Sequence, residues 1–156
     1  MILLITTATV ALMAQNKCEF IFKYGVGKKN VLNTRGGMFT KDMVSDPAIT
    51  IPMKLTRKEK KHIYKKLVEI HFFDLPENYE YKIISGETIT QVNPCSTYEL
   101  EIFRNDADKV VNWNNCSPSV KDSEFQKLMD LADLINSIVV KKQNYKNLPQ
   151  PKSAYH

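Results

Sequence analysis

At 156 residues, with 43% hydrophobic and 25% charged side chains, the chain has the size and composition of one soluble globular domain that can bury a core without cross-links. Five glycines and no internal repeat exclude solenoid, collagen-like and low-complexity architectures. A formal net charge of +5 permits an acidic partner such as nucleic acid, anionic lipid or an acidic protein face, and requires none of them.

Met1 to Ala14 (MILLITTATVALMA) carries no charge, and Gln15, Asn16 and Lys17 then turn polar. A short apolar run ending in small residues matches a secretory h-region and cleavage site, with the cut after Ala14. The run is shorter than the ~20 residues a membrane-spanning helix needs. No Lys or Arg precedes it, and Ile2 to Val10 is rich in β-branched residues, so a buried first strand is the competing reading. The leader reading predicts an exported chain with no membrane span: a signal peptide over 1–14, a single domain over 15–142 and an extended tail over 143–156.

Glu19 to Tyr24 alternates as a strand, with Phe20, Phe22 and Tyr24 on one face. Gly25 and Gly27 break it, Val31 to Thr34 is a short extended piece, and Arg35-Gly36-Gly37 is a turn. Met38 to Met43 and Ile49 to Leu55 read as further extended segments separated by Ser45-Asp46-Pro47. Thr56 and Glu59 form a T-x-x-E capping box, and Ile63, Leu67 and Ile70, with Tyr64 and Val68, give a helix one apolar stripe. Asp74-Leu75-Pro76 is expected to stop that helix, because proline cannot continue the ladder.

Tyr79 to Ile84 and Thr88 to Val92 read as two more strands. Tyr98 to Arg104 and Lys109 to Trp113 read as a hairpin around Asn105 to Asp108. Ser123 with Gln126 suggests a second capping box, opening a helix to Val140 that buries Phe125, Leu128, Ala132, Ile135 and Val139. These elements predict an α+β fold: a single, mostly antiparallel sheet packed by two main helices.

Cys95 and Cys116 bracket the hairpin. If the turn is Asn105-Asp106, residues whose numbers sum to 211 face each other, which pairs Leu100 with Val111, Tyr98 with Trp113 and the two cysteines with one another; a four-residue loop would shift the register by two and move the cysteines apart diagonally. In an oxidising compartment such a pair is joined, and the closed span would restrict the unfolded chain by ~3 kcal/mol in the loop-entropy model. Two free thiols packing as small hydrophobes are the alternative, and Cys18 is left over.

Lys54, Arg57, Lys58, Lys61 and Lys65, with Lys60 and Lys66, make a dense basic cluster on and just before the first helix. It reads either as an electrostatic dock for phosphate or an acidic protein, or as a solvated helix face. No aromatic side chains are interleaved to stack bases, so no nucleic-acid partner is expected. Gly25-Val26-Gly27 meets Asn30 where a dinucleotide fingerprint needs its third glycine, and His62 and His71 fall on opposite sides of one helix. Glu99 and Glu101 share a strand face, and Asn115-Cys116-Ser117 fits a glycosylation sequon. No catalytic residue, cofactor site or metal site is read from the chain.

The segments FKYGVGKKNVLNTRGGMFTKDMV (Phe22 to Val44), LTRKEKKHIYKKLVEIHFFDLP (Leu55 to Pro76), YELEIFRNDADKVVNWNN (Tyr98 to Asn115) and YKNLPQPKSAY (Tyr145 to Tyr155) resemble small bacterial exported or lipoprotein-like proteins of unknown function. The resemblance covers most of the mature chain and implies no activity. In layout the chain is also loosely similar to emfourin-type protease-inhibitor domains, a likeness of architecture that does not fix function. The expected function is therefore a non-enzymatic exported module that binds an envelope or extracellular protein or a surface, with inhibition as one form of it. A hydrolase whose site forms no sequence motif is the alternative.

Overall fold

A computed structural model of the chain describes residues 18–156 apart from Ile84 and Glu87. The leader reading over 1–14 and the competing strand Ile2 to Val10 both lie outside the described residues. Six strands form one antiparallel sheet in the order β4-β3-β2-β1-β5-β6: β1 Glu19–Tyr24, β2 Asn30–Asn33, β3 Met38–Met43, β4 Asp46–Pro52, β5 Thr97–Phe103 and β6 Lys109–Asn114. Two long helices, α1 Arg57–Glu69 and α2 Ser123–Lys141, and a one-turn helix, α3 Gln143–Lys146, complete the α+β fold. The first four strands meander outward from β1, and β5 returns to β1's other side, so β1 is central.

Alternation decides which face is buried. Ile51, Phe39, Leu32, Phe22, Leu100 and Val111 are register partners in turn, a single apolar row running across all six strands. A one-residue slip anywhere would turn part of this row to water. Ile63, Leu67 and Ile70 from α1 and Phe125, Leu128, Leu131, Ile135 and Val139 from α2 complete the core. The capping box of α1 is formed: Glu59 N–H donates to Thr56 Oγ1 at 3.2 Å and Thr56 N–H donates to Glu59 Oε2 at 2.7 Å.

Several expectations about boundaries give way. Helix α1 ends at Glu69, before the expected Asp74-Leu75-Pro76, because His71 takes a left-handed conformation (φ 54°). The 3₁₀ turn Phe72–Asp74 that follows turns Phe72 into the core. Helix α2 is capped by Asp122 rather than by Ser123 with Gln126. Asp122 Oδ1 accepts from Glu124 N–H (3.0 Å) and Phe125 N–H (3.4 Å), while the Gln126 amide donates to Val120 C=O (3.0 Å). Strand β4 starts at Asp46, and Pro47 is accommodated because β4 lies at the sheet edge.

The segments Tyr79 to Ile84 and Thr88 to Val92 do not enter the sheet among the described residues. One parallel bridge, Asn78 to Asn112, touches the β6 edge, with Tyr79 N–H donating to Asn112 C=O at 2.8 Å. The chain then leaves β6, since its alternating tyrosines are claimed elsewhere: Tyr79 donates to Asp122 Oδ2 (2.9 Å) and Tyr81 packs edge-on to Phe125.

The C-terminal segment starts with the helical turn α3 and then runs extended over the β3–β4 end of the sheet. Lys41, buried on β3, donates to Pro149 C=O at 2.8 Å and lies 5.0 Å from the Tyr145 ring. Tyr155 OH donates to Asp42 Oδ2 at 2.6 Å. Among the described residues no helix is long and apolar enough to cross a membrane.

Candidate functional site: a stapled loop and a basic helix face

Between the 3₁₀ turn and β5 the described residues of 75–96 enter no helix or strand, and in a compact domain a connection of this length is often a functional loop. Its first foot is fastened to Asp122. That carboxylate accepts the Tyr79 hydroxyl, the Lys82 N–H (2.8 Å) and the two N-terminal amides of α2. Burial alone would push the Asp122 carboxyl up, but the bonds from Lys82, Tyr79, Phe125 and Glu124 outweigh it and hold it below the ordinary aspartate value. Burial, then the hydrogen bond to Asp122, raises the Tyr79 phenol, so Tyr79 stays protonated and donating.

The second foot is covalent. Cys95 and Cys116 form a disulfide with Cα atoms 4.9 Å apart, and the hairpin holds the register read from the sequence, Tyr98 opposite Trp113 and Leu100 opposite Val111. Val92 N–H donates to Cys116 C=O at 2.8 Å, and Thr90 N–H donates to Ser119 Oγ at 3.1 Å. Between these feet Ile83 is 60% exposed, and Val92 is 40% exposed. Two large apolar side chains thus face water on a loop whose ends are pinned.

The second candidate surface is the outer face of α1. Lys54, Arg57, Lys58, Lys61 and Lys65 are all exposed, and among the described residues none of the five forms an ion pair. The other two lysines of the cluster are engaged: Lys60 with Glu19, and Lys66 with Glu69 at 3.2 Å. Glu59 is bound by Lys142 at 2.6 Å. The helix therefore separates its cations into a paired, inward set and an unpaired, outward set.

No protein-family model matches the chain, and its sequence matches no curated protein.

The remaining sequence features are structural. Gly25-Val26-Gly27 makes a tight 3₁₀ turn; Gly25 has φ 91°, and a Cβ there would stand 2.8 Å from Asn30 Nδ2. Glu99 is clasped by Lys23 (2.6 Å) and Lys28 (3.1 Å) on the sheet's outer face, and Lys28 also donates to Asn112 Oδ1 at 2.5 Å. Burial opposes ionisation of Glu99, and the two lysines more than offset it, so its carboxyl titrates below the ordinary value. In the sequon, Cys116 is cross-linked and Ser117 is buried. His62 and His71 are both exposed, and among the described residues no group of three or more His, Cys, Asp or Glu side chains is placed to hold a metal.

Cys18 is a free thiol, 3% exposed. Burial first, then the neighbouring Glu19 charge, push it up to about 11. Its thiolate is scarce at neutral pH, so alkylation of the native protein is expected to run at least ~100-fold slower than in denaturant. Iodoacetamide labelling followed by mass spectrometry checks this, and equal rates in the two conditions would contradict it.

Two buried polar groups, Asp122 and Lys41, belong to no sequence motif. Asp122 and Ser123 are both good caps one residue apart, and only the partners across space choose between them. Lys41 sits at an inward strand position, where alternation calls for an apolar residue, and the C-terminal segment supplies its carbonyl partner.

Proposed function

We propose that this chain is an exported, non-enzymatic recognition domain that binds an envelope or extracellular protein through the loop over 75–96, with inhibition as one outcome of that binding. The observation that carries the reading is a loop pinned at both feet with Ile83 and Val92 turned to water. Pinning lowers the entropy lost when a loop docks, so a small apolar contact yields more affinity than it would on a free segment. Export is supported by the uncharged run over 1–14 and by the disulfide, a bond rare in reducing compartments.

A photo-cross-linking residue placed at Ile83 is expected to give one discrete adduct from envelope extract, competed by the unlabelled chain. Ile83→Asp with Val92→Asp should abolish that competition while the circular dichroism stays unchanged. Unsaturable labelling of many proteins would sink the binding reading. Export has its own test in the mature N-terminus and thiol count by mass spectrometry. A start at Gln15 with one free thiol is expected, whereas an intact Met1 with three free thiols would refute export.

A further inference from the structure

The outward cations of α1 make a second surface, independent of the loop. We propose that α1 seats the domain on an anionic phospholipid surface through Lys54, Arg57, Lys58, Lys61 and Lys65. At 1.5 Å of rise per residue, Arg57 to Lys65 covers about 12 Å along one rigid helix. Lys58, Lys61 and Lys65 recur at helical spacing along one side of it. Every acid on the helix is already bound, Glu59 by Lys142 and Glu69 by Lys66, so nothing on the helix neutralises the row. Val68, 51% exposed, continues the same line and offers a shallow apolar contact at its end.

The occupant follows from the kind of donors present. Base readout uses forked guanidinium donors, and single strands are held by aromatic rings that stack bases. This face has one arginine, and its exposed residues include no phenylalanine, tyrosine or tryptophan. A row of lysine point charges on flexible stems suits a fluid headgroup layer, whose anions move to meet them. The neighbouring α2 instead turns Asp130 and Asp133 to solvent along its middle, so the row of cations on α1 has no counterpart there and the domain would rest along α1. The inner surface of α1 is committed to the core through Ile63, Leu67 and Ile70. Binding is therefore electrostatic and peripheral, without insertion.

Co-sedimentation of the full mature chain with vesicles tests this, comparing pure phosphatidylcholine with an equimolar phosphatidylcholine–phosphatidylglycerol mixture. Binding is expected only to the mixture and should fall steeply as salt shortens the ~10 Å screening length. Each cation near an anionic bilayer multiplies partitioning about five-fold, so Lys58→Gln/Lys61→Gln/Lys65→Gln should lower it roughly a hundredfold. The charge-matched control Lys82→Gln/Lys121→Gln/Lys152→Gln, with all three sites exposed and off α1, should retain most of the binding. Thermal melts of both triple variants verify that they fold. Equal losses in the two variants would overturn the proposal, because net charge alone would then be responsible. Equal binding to pure phosphatidylcholine, or binding to duplex DNA with none to vesicles, would also overturn it.

Discussion

Replacing Asp122 by alanine is expected to lower stability by about 2–4 kcal/mol and to release the first foot of the 75–96 loop. Two losses add. The cap of α2 disappears, which typically costs ~1 kcal/mol. The Tyr79 hydroxyl and the Lys82 N–H also lose a charged acceptor, and an unsatisfied buried donor costs ~1–3 kcal/mol. Asp122→Asn separates the two effects. Its amide oxygen can still accept from Glu124 and Phe125, but its NH₂ would face the Tyr79 and Lys82 donors. Asparagine should therefore recover the helix cap while the loop remains open to proteolysis between Lys82 and Thr90. Urea midpoints report the first effect, and limited proteolysis reports the second. A nicking rate unchanged in both variants would remove Asp122 from the loop's support.

The same carboxylate gives a pH dependence with a definite sign. Its folded pKa is held below its unfolded value, as are those of Glu59 and Glu99. For such groups the unfolded state binds protons first, so their contribution is complete above the ordinary carboxylate range and is lost as pH falls through the folded values. Stability should be flat from neutral pH to about pH 5 and decline below about pH 4. The decline should be shallower in Asp122→Ala than in the parent chain. A steeper decline in the variant would contradict the assignment.

Removing the disulfide, by reduction or by Cys95→Ser/Cys116→Ser, is expected to cost about 3 kcal/mol, the loop-entropy value for this spacing. The cysteines are 21 apart in sequence, and the bond closes that span in the unfolded chain. The folded hairpin does not depend on it for register. Leu100 against Val111 and the stacked Tyr98 and Trp113 rings (centroids 5.2 Å apart) specify the pairing by themselves. The double serine variant should therefore keep the parent's β-sheet spectrum while its urea midpoint drops by about 2 M, for a slope of ~1.5 kcal/mol/M. A midpoint within experimental error of the parent would show that the bond constrains nothing. Freed at its second foot, the loop should also be cut more readily near Val92, which links this variant to the binding assay proposed above.

How much was legible in advance varied with the range of the interaction involved. The hairpin was accessible in part: the inward pattern Tyr98, Leu100, Ile102 against Val111, Trp113 fixes the parity, while the choice between a two-residue and a four-residue turn, two residues of register apart, is made in the folded sheet. The α1 capping box was accessible because Thr56 and Glu59 satisfy each other within three residues. The basic cluster was visible as composition. Its division into paired Lys60 and Lys66 and unpaired Lys58, Lys61 and Lys65 was not, because Glu19 is 41 residues from Lys60 in sequence.

The segment YEYKII shows the limit most clearly. Its alternation has strand periodicity, yet its two tyrosines are drawn to the N-terminus of α2, where Asp122, 43 residues from Tyr79, accepts the Tyr79 hydroxyl. By itself the amino-acid order determined the fold class, the faces of β1 and of the hairpin strands and the start of α1, which follow from periodicity and near-neighbour chemistry. It narrowed the hairpin to two registers, of which the structure holds the one that joins Cys95 to Cys116. Which polar groups meet across the core was decided only in three dimensions. Those meetings set the cap of α2, the departure of Tyr79 and Tyr81 from the sheet and the set of lysines left facing water, since each depends on distant groups competing for the same partner.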